Sequence, residues 1–350
     1  MHDTKIPFAA WFVAALWASA AVAQQRQPPA QPESGVITLD VVVTPKSGPP
    51  LSDLQEQDFT VRQDQEQRPI TAFQAFRGSE APVEIILVID DVNTGLEHIA
   101  YERSEIDKFL KLDGGQLAHP VALAFLTDSG IKLQDTFTKD GNALASSLDQ
   151  YTLSLHSILR SAGIYGAAER FEVSMKSLYE LATHEASRPG RKLIVWLSPG
   201  WPLLSGPGVE EQLDNKQQQQ IFSNAVQLSN LLRQGRITLY SIDPLGTADF
   251  STRAFWWQDF TKGLSKPSQA AWGNLALQVL AVQSGGLVFT TGNDITGYLE
   301  RCVADAQAYY QLSFVPSLEH SKNDVYHRIE VRVDKPGVVA RTRQGYYSAQ

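Results

Sequence analysis

Sulfur is almost missing from this chain: 350 residues hold one cysteine and two methionines. A lone Cys302 excludes an intrachain disulfide and every metal site built from several cysteines, so packing must hold the fold together. In its helical setting Cys302 reads as a small buried hydrophobe. Basic clusters are missing too. Thirty Lys and Arg stand against 38 Asp and Glu, for a net charge of -8, and the Lys and Arg are dispersed. Nucleic acid is therefore not an expected partner, because binding through counterion release needs clustered cations. No stretch approaches the roughly 20 uninterrupted apolar residues that cross a bilayer, so no membrane span is expected. Catalytic signatures are also lacking: there is no Gly-x-Ser-x-Gly elbow. His98, His119, His156, His184, His320 and His327 are scattered, without the spacing of a metal site.

What is present begins with an export signal. Lys5 precedes an uncharged, mainly apolar run from Ile6 to Ala20, and Ala21-Val22-Ala23 then offers small residues for cleavage. Residues 1–23 are expected to be a cleavable signal peptide, which places the mature chain in the periplasm or outside the cell. Residues 24–35 are rich in Pro and Gln, with too little apolar surface to offset ordering entropy, and read as a disordered tether.

Beyond the tether the hydrophobic period is two. Ile37, Leu39, Val41 and Val43 alternate with more polar neighbours, as do Phe59 and Val61. Far along the chain, Tyr310, Leu312 and Phe314, then Ile329, Val331 and Val333, repeat the pattern. Two short β segments at opposite ends of the chain each lack a core of their own. They are expected to pair into one small β domain, from residues 36–76 and 309–348. Between them, the runs 83–89, 121–126, 192–197, 237–242 and 287–290 are short and continuous, as strands buried on both faces must be. Phe171, Met175, Leu178 and Ala182 recur at helical spacing, and so do Ile221, Ala225, Leu228 and Leu232. Strands alternating with helices over 82–308 predict a three-layer, doubly wound, mostly parallel sheet, whose ligands belong at the carboxyl ends of its strands.

The first of those strands ends in Asp90-Asp91-Val92-Asn93-Thr94-Gly95, an acidic and oxygen-rich turn. Here the chain resembles von Willebrand factor A domains, which carry Asp-x-Ser-x-Ser at this point. Asp90 matches the Asp and Thr94 the second Ser, while Val92 replaces the first Ser. The resemblance implies a divalent cation such as Mg²⁺, with Asp91 and Asn93 as substitute ligands and Ser161, or Ser157, in place of the family's Thr. The family's second Asp falls at Ser198-Pro199-Gly200, where Pro199 has no ligating side chain. The segments VITLDVVVTPKSGPP, EIILVIDDVNT, YYQLSFVPS and YHRIEVRVDKPGVV, in that order, are similar to those of bacterial secreted von Willebrand factor A-related proteins. That implies a non-catalytic adhesion or binding role toward a protein or glycan partner.

Each site reading has a bland counterpart. The alternative for the turn is a structural one, with Asp90 and Asn93 capping backbone N–H groups. Trp201, Trp256 and Trp257 follow strand ends and, with Ser198, form a candidate partner-binding face. The alternative is that these rings fill a local core under a long loop. A rival function is a haloacid dehalogenase-like phosphohydrolase with Asp90 as nucleophile. That chemistry asks for a second Asp two residues on, where Val92 stands.

Overall fold

The computed structural model describes residues 35–151, 164–202, 213–246, 255–317 and 324–348. The expected signal peptide, nearly all of the tether, and Ser157 and Ser161 lie outside the described residues.

The central sheet is built on β5 (Val83–Asp90), β6 (Gln116–Thr127), β9 (Arg191–Leu197), β10 (Ile237–Ile242) and β11 (Val288–Phe289), all parallel, in the order β11-β10-β9-β5-β6. Two short strands, β7 (Gly130–Leu133) and β8 (Thr138–Asp140), run antiparallel to β6. Successive residues of β5 face opposite layers. Ile85, Leu87 and Ile89 pack against α1 (Leu96–Leu110), α2 (Gly141–Gln150) and α6 (Ile295–Gln307). Ile86 and Val88 pack against α3 (Ile164–Ala186), α4 (Asn215–Gln234) and α5 (Leu277–Gln283). Burial on both faces explains why the strand sequences run apolar without alternation. Met175, Leu178 and Ala182 of α3, and Ile221, Leu228 and Leu232 of α4, are the buried stripes. Cys302 of α6 is fully buried, and burial raises its thiol pKa well above the ordinary value.

Local chemistry starts the helices. Asp214 accepts from the backbone N of Gln217 at 2.8 Å and the Gln217 side chain accepts from the Asp214 N at 2.8 Å, a reciprocal cap on α4. Asp140 and Asp294 cap α2 and α6 in the simpler one-bond way.

The two ends of the chain meet in a sandwich. One sheet has the order β14-β1-β12-β4, from β14 (Val338–Arg341), β1 (Ile37–Pro45), β12 (Ala308–Phe314) and β4 (Ala72–Arg77). The other is β15-β13-β2-β3, from β15 (Gly345–Tyr347), β13 (Tyr326–Val333), β2 (Phe59–Gln63) and β3 (Glu66–Arg68). Antiparallel registers place Leu39 opposite Leu312 and Val61 opposite Val331. Leu39, Val41, Phe59, Val61, Tyr310, Leu312, Phe314 and Ile329 share the core between the sheets. The period-two pattern at each end is thus the inner face of one sandwich.

The sandwich meets the parallel sheet near the amino ends of β9 and β10. Arg236, the residue before β10, grips Asp40 of β1 through two hydrogen bonds of 3.2 and 2.6 Å. It does so from a left-handed backbone conformation, φ 51°, that a side-chain-bearing residue adopts only at a cost. Arg191 lies over the Tyr309 ring at 4.6 Å, and Tyr309 stacks on Phe76.

Candidate functional site

Asp90 stands at the carboxyl end of β5, in the middle of the sheet, where the sequence predicts. Its surroundings differ from the expectation. The carboxylate is fully buried, and its oxygens accept from the backbone N of Val92 at 3.1 Å and of Asn93 at 2.9 Å. They also accept from Asn93 Nδ2, at 3.1 Å on one oxygen and 2.8 Å on the other, and from Trp196 Nε1 at 3.0 Å. Asn93 Nδ2 reaches across to Ser174 Oγ at 2.9 Å, which fixes the turn against α3. Burial raises the Asp90 carboxyl pKa, and the bonds from Asn93, Trp196 and Ser198 pull it part of the way back.

A hard divalent cation needs about six oxygens and open coordination positions on its carboxylate ligands. Asp90 does not provide them, because both of its oxygens already hold protein N–H groups, with the Asn93 amide facing the two together. Among the described residues no group of three His, Cys, Asp or Glu is placed to hold a metal ion. The residues present therefore do not fit a cation at Asp90. Asn93 is a donor here and not a ligand, and the structural role of the turn accounts for the geometry. Asp91 and Thr94 are buried beside it.

The partner-binding expectation for Ser198, Trp201 and Trp257 is corrected by burial. Ser198 is fully buried and accepts from the Gly200 N at 3.1 Å. Trp201 packs edge-on to Trp196 at 5.4 Å, beneath the surface. Trp257 joins Ala276 and Val279 in a small satellite core, and half-buried Trp256 leans on that core and on Phe260 at 5.6 Å. Hydrophobic gain explains the outcome, since large rings contribute most when desolvated. Of this aromatic segment, Phe255 is the ring left exposed.

One buried acid escaped the sequence reading. Glu102 lies on the inward stripe of α1 with Ile99, Ile106 and Phe109, is buried, and has no hydrogen-bond partner for either carboxylate oxygen. Burial raises its pKa well above the ordinary value, and the neighbouring Asp91, Asp90 and Asp243 charges add to the effect. The signal was available: an acid at helical spacing among apolar positions.

An open concavity lies elsewhere among the described residues. A groove of about 870 Å³ runs between the β1–β2 loop at Ser47–Pro50, α6 and β14. Pro45, Pro49, Pro50, Leu287 and Val339 give it apolar walls, Val339 being among the exposed large hydrophobics, while Lys46, Arg301 and Arg341 supply cations and Glu300 and Asp305 acids; no aromatic residue lines it.

No family model matches the sequence, and no curated protein matches it. Among solved structures, the chain is similar to the pilus adhesin SpaC from Lactobacillus rhamnosus GG in its open conformation, with TM-score 0.37, 9% identity, 82% of this chain and 47% of that one covered. It is similar to the human COPII-coat protein Sec24c with TM-score 0.35, 9% identity, and 77% and 44% covered. For the SpRpn10 VWA domain the values are TM-score 0.30, 12% identity, and 60% and 87%. The chain spans less than half the length of the first two. Scores of this size leave the functional reading to the residues themselves.

Proposed function

We propose that this chain is an exported, non-catalytic binding protein that recognises a protein partner through the groove between the β1–β2 loop, α6 and β14, without a metal ion. The observation that carries this reading is the engagement of Asp90. As a phosphoryl-accepting nucleophile or a cation ligand, Asp90 would need a free oxygen facing solvent, and its oxygens are instead occupied by internal donors. A von Willebrand A-like domain whose acidic turn is closed in this way keeps the architecture of an adhesion module and moves recognition to another surface. A protein fits the groove better than a glycan does. Its apolar walls suit buried side-chain anchors, whereas sugar rings stack on aromatic platforms, and Trp201 and Trp257, which would have formed one, are buried.

The test uses two variants of the full chain side by side, Val339→Arg in the groove and Asp90→Asn in the turn. Cross-linking to intact cells of the source environment, with identification of the captured protein and direct titration of that protein, should show binding lost in Val339→Arg and retained in Asp90→Asn. The reverse pattern overturns the groove assignment. Heat on titration with Mg²⁺, Mn²⁺ or Ca²⁺, or hydrolysis of p-nitrophenyl phosphate that disappears in Asp90→Asn, overturns the metal-free and non-catalytic parts.

A further inference from the structure

The junction between the sandwich and the parallel sheet holds more positive charge than its neighbours balance. Three guanidinium groups gather there: Arg233 in the last turn of α4, Arg236 before β10, and Arg343 between β14 and β15. The nearby acid is Asp40, and Arg236 already holds both of its oxygens, at 3.2 and 2.6 Å. Arg343 is 8% exposed. No hydrogen bond from its guanidinium to another described residue is present. Arg233 Nε and Thr342 Oγ1 are buried and likewise have no partner. These groups, together with the Asp40–Arg236 pair, border a hollow of about 10 Å³, close to the space that a single water-sized occupant requires.

Two features decide what that occupant is. First, the unused nitrogens are donors, and the Thr342 hydroxyl is free to donate as well, so the site calls for an acceptor. Second, a water molecule would satisfy donors but leave the charge uncompensated, and unbalanced buried charge is among the more expensive features a fold can carry. We infer that this junction is a binding site for a small monatomic anion of chloride size, held by Arg233, Arg343 and the Thr342 hydroxyl. The small size of the hollow favours a compact, single-atom anion. Burial and the Arg233 charge beside it lower the Arg343 pKa to about 10, with Asp40 acting the other way. Anion occupancy fastens the sandwich to the sheet, since Arg233 belongs to the α/β unit while Thr342 and Arg343 belong to the chain linking the sandwich strands.

The experiment measures thermal unfolding of the full chain at constant ionic strength, with sodium chloride replaced stepwise by sodium gluconate, whose anion cannot enter. Raising chloride from about 1 to about 100 mM should lift the Tm by roughly 4 °C or more, along a saturating curve, as ligand linkage requires. Bromide should act similarly. Arg343→Met should abolish the chloride dependence and leave the chloride-free Tm equal to or above that of the wild type, because an uncompensated charge has been removed. A merely structural arginine predicts the opposite, a lower Tm with the chloride response intact. Should Arg343→Met fail to fold, anomalous diffraction from bromide-soaked crystals of the wild type decides: a peak within hydrogen-bonding reach of Arg233, Thr342 and Arg343 upholds the site. A Tm indifferent to chloride, or a hollow holding only water, overturns it.

Discussion

The two ends of the parallel sheet are charged in opposite senses, and they manage that charge differently. At the carboxyl end, Asp90, Asp91, Glu102 and Asp243 are all buried together. The charge there is reduced in place, because Asp90 is saturated by short-range donors and Glu102 is driven toward its protonated form. At the amino end, Arg191, Lys192 and Arg343 are buried, with Arg233 and Arg236 close by. Arginine keeps its proton under any ordinary condition, so this end depends on partners: Asp40 for Arg236, Asp305 for Arg341, the Tyr309 ring for Arg191. Acids can escape burial by taking up a proton, and arginines cannot. That asymmetry makes the carboxyl end self-sufficient and the amino end the place where the sandwich has to dock.

The largest effect should come from removing Asp40, the acid that pairs with Arg236 at the basic pole. Asp40→Asn leaves Arg236 without its bidentate partner and should lower unfolding stability by about 3 to 5 kcal/mol in urea titrations. A loss below about 1 kcal/mol would mean that the docking does not depend on this pair. Second, Asp90→Ala strands the Trp196 indole N–H and the Asn93 amide, and should lose about 2 to 4 kcal/mol. The loss should be the same with and without Mg²⁺, and a magnesium-dependent difference would break the contrast between a self-sufficient acid pole and a partner-dependent basic one.

Two smaller effects sharpen the contrast through pH. Glu102 has a folded pKa raised above its unfolded value. Its contribution is therefore fully present below the unfolded value, about 4.3, and is lost as pH rises through the folded pKa. Relative to wild type, Glu102→Gln should gain about 1 to 2 kcal/mol as pH is raised from about 5 to about 8, and an unchanging difference would remove the raised pKa. His119 belongs to the basic pole and has the opposite sign. Burial, Lys139 and Arg191 lower its pKa from 6.5 to about 4, and its buried ring makes no hydrogen bond. Its contribution is present above 6.5 and lost as pH falls toward 4. His119→Phe should blunt acid destabilisation by about 1 kcal/mol in that window, and identical acid midpoints would show that His119 stays unprotonated or is hydrated.

Legibility in the sequence followed the range of the interaction. The strands and helices read correctly because their signal is local: Val83–Ile89 is an unbroken apolar run, and Ile221, Ala225, Leu228 and Leu232 keep helical spacing. Pairing of the chain ends was legible because an isolated amphipathic hairpin has nowhere to bury its face. The position of Asp90 was also correct, since it follows from strand direction. Its accessibility was not legible. The indole that seals it comes from Trp196, 106 residues away, and the hydroxyl that holds Asn93 in place from Ser174, 81 residues away. A Trp after a strand reads alike whether it is exposed or folded back.

By itself, then, the sequence determined the alternation of periods, and through it a covered parallel sheet with an antiparallel sandwich made from both ends. Backbone geometry and the burial of apolar faces enforce those features segment by segment. Only the tertiary structure decided that the acidic turn is closed, that Trp201 and Trp257 are core, and that uncompensated arginines meet where the two parts join. The state of a polar or charged group depends on which atoms lie within about 3 Å of it, and those atoms come from distant parts of the chain that no local pattern brings together.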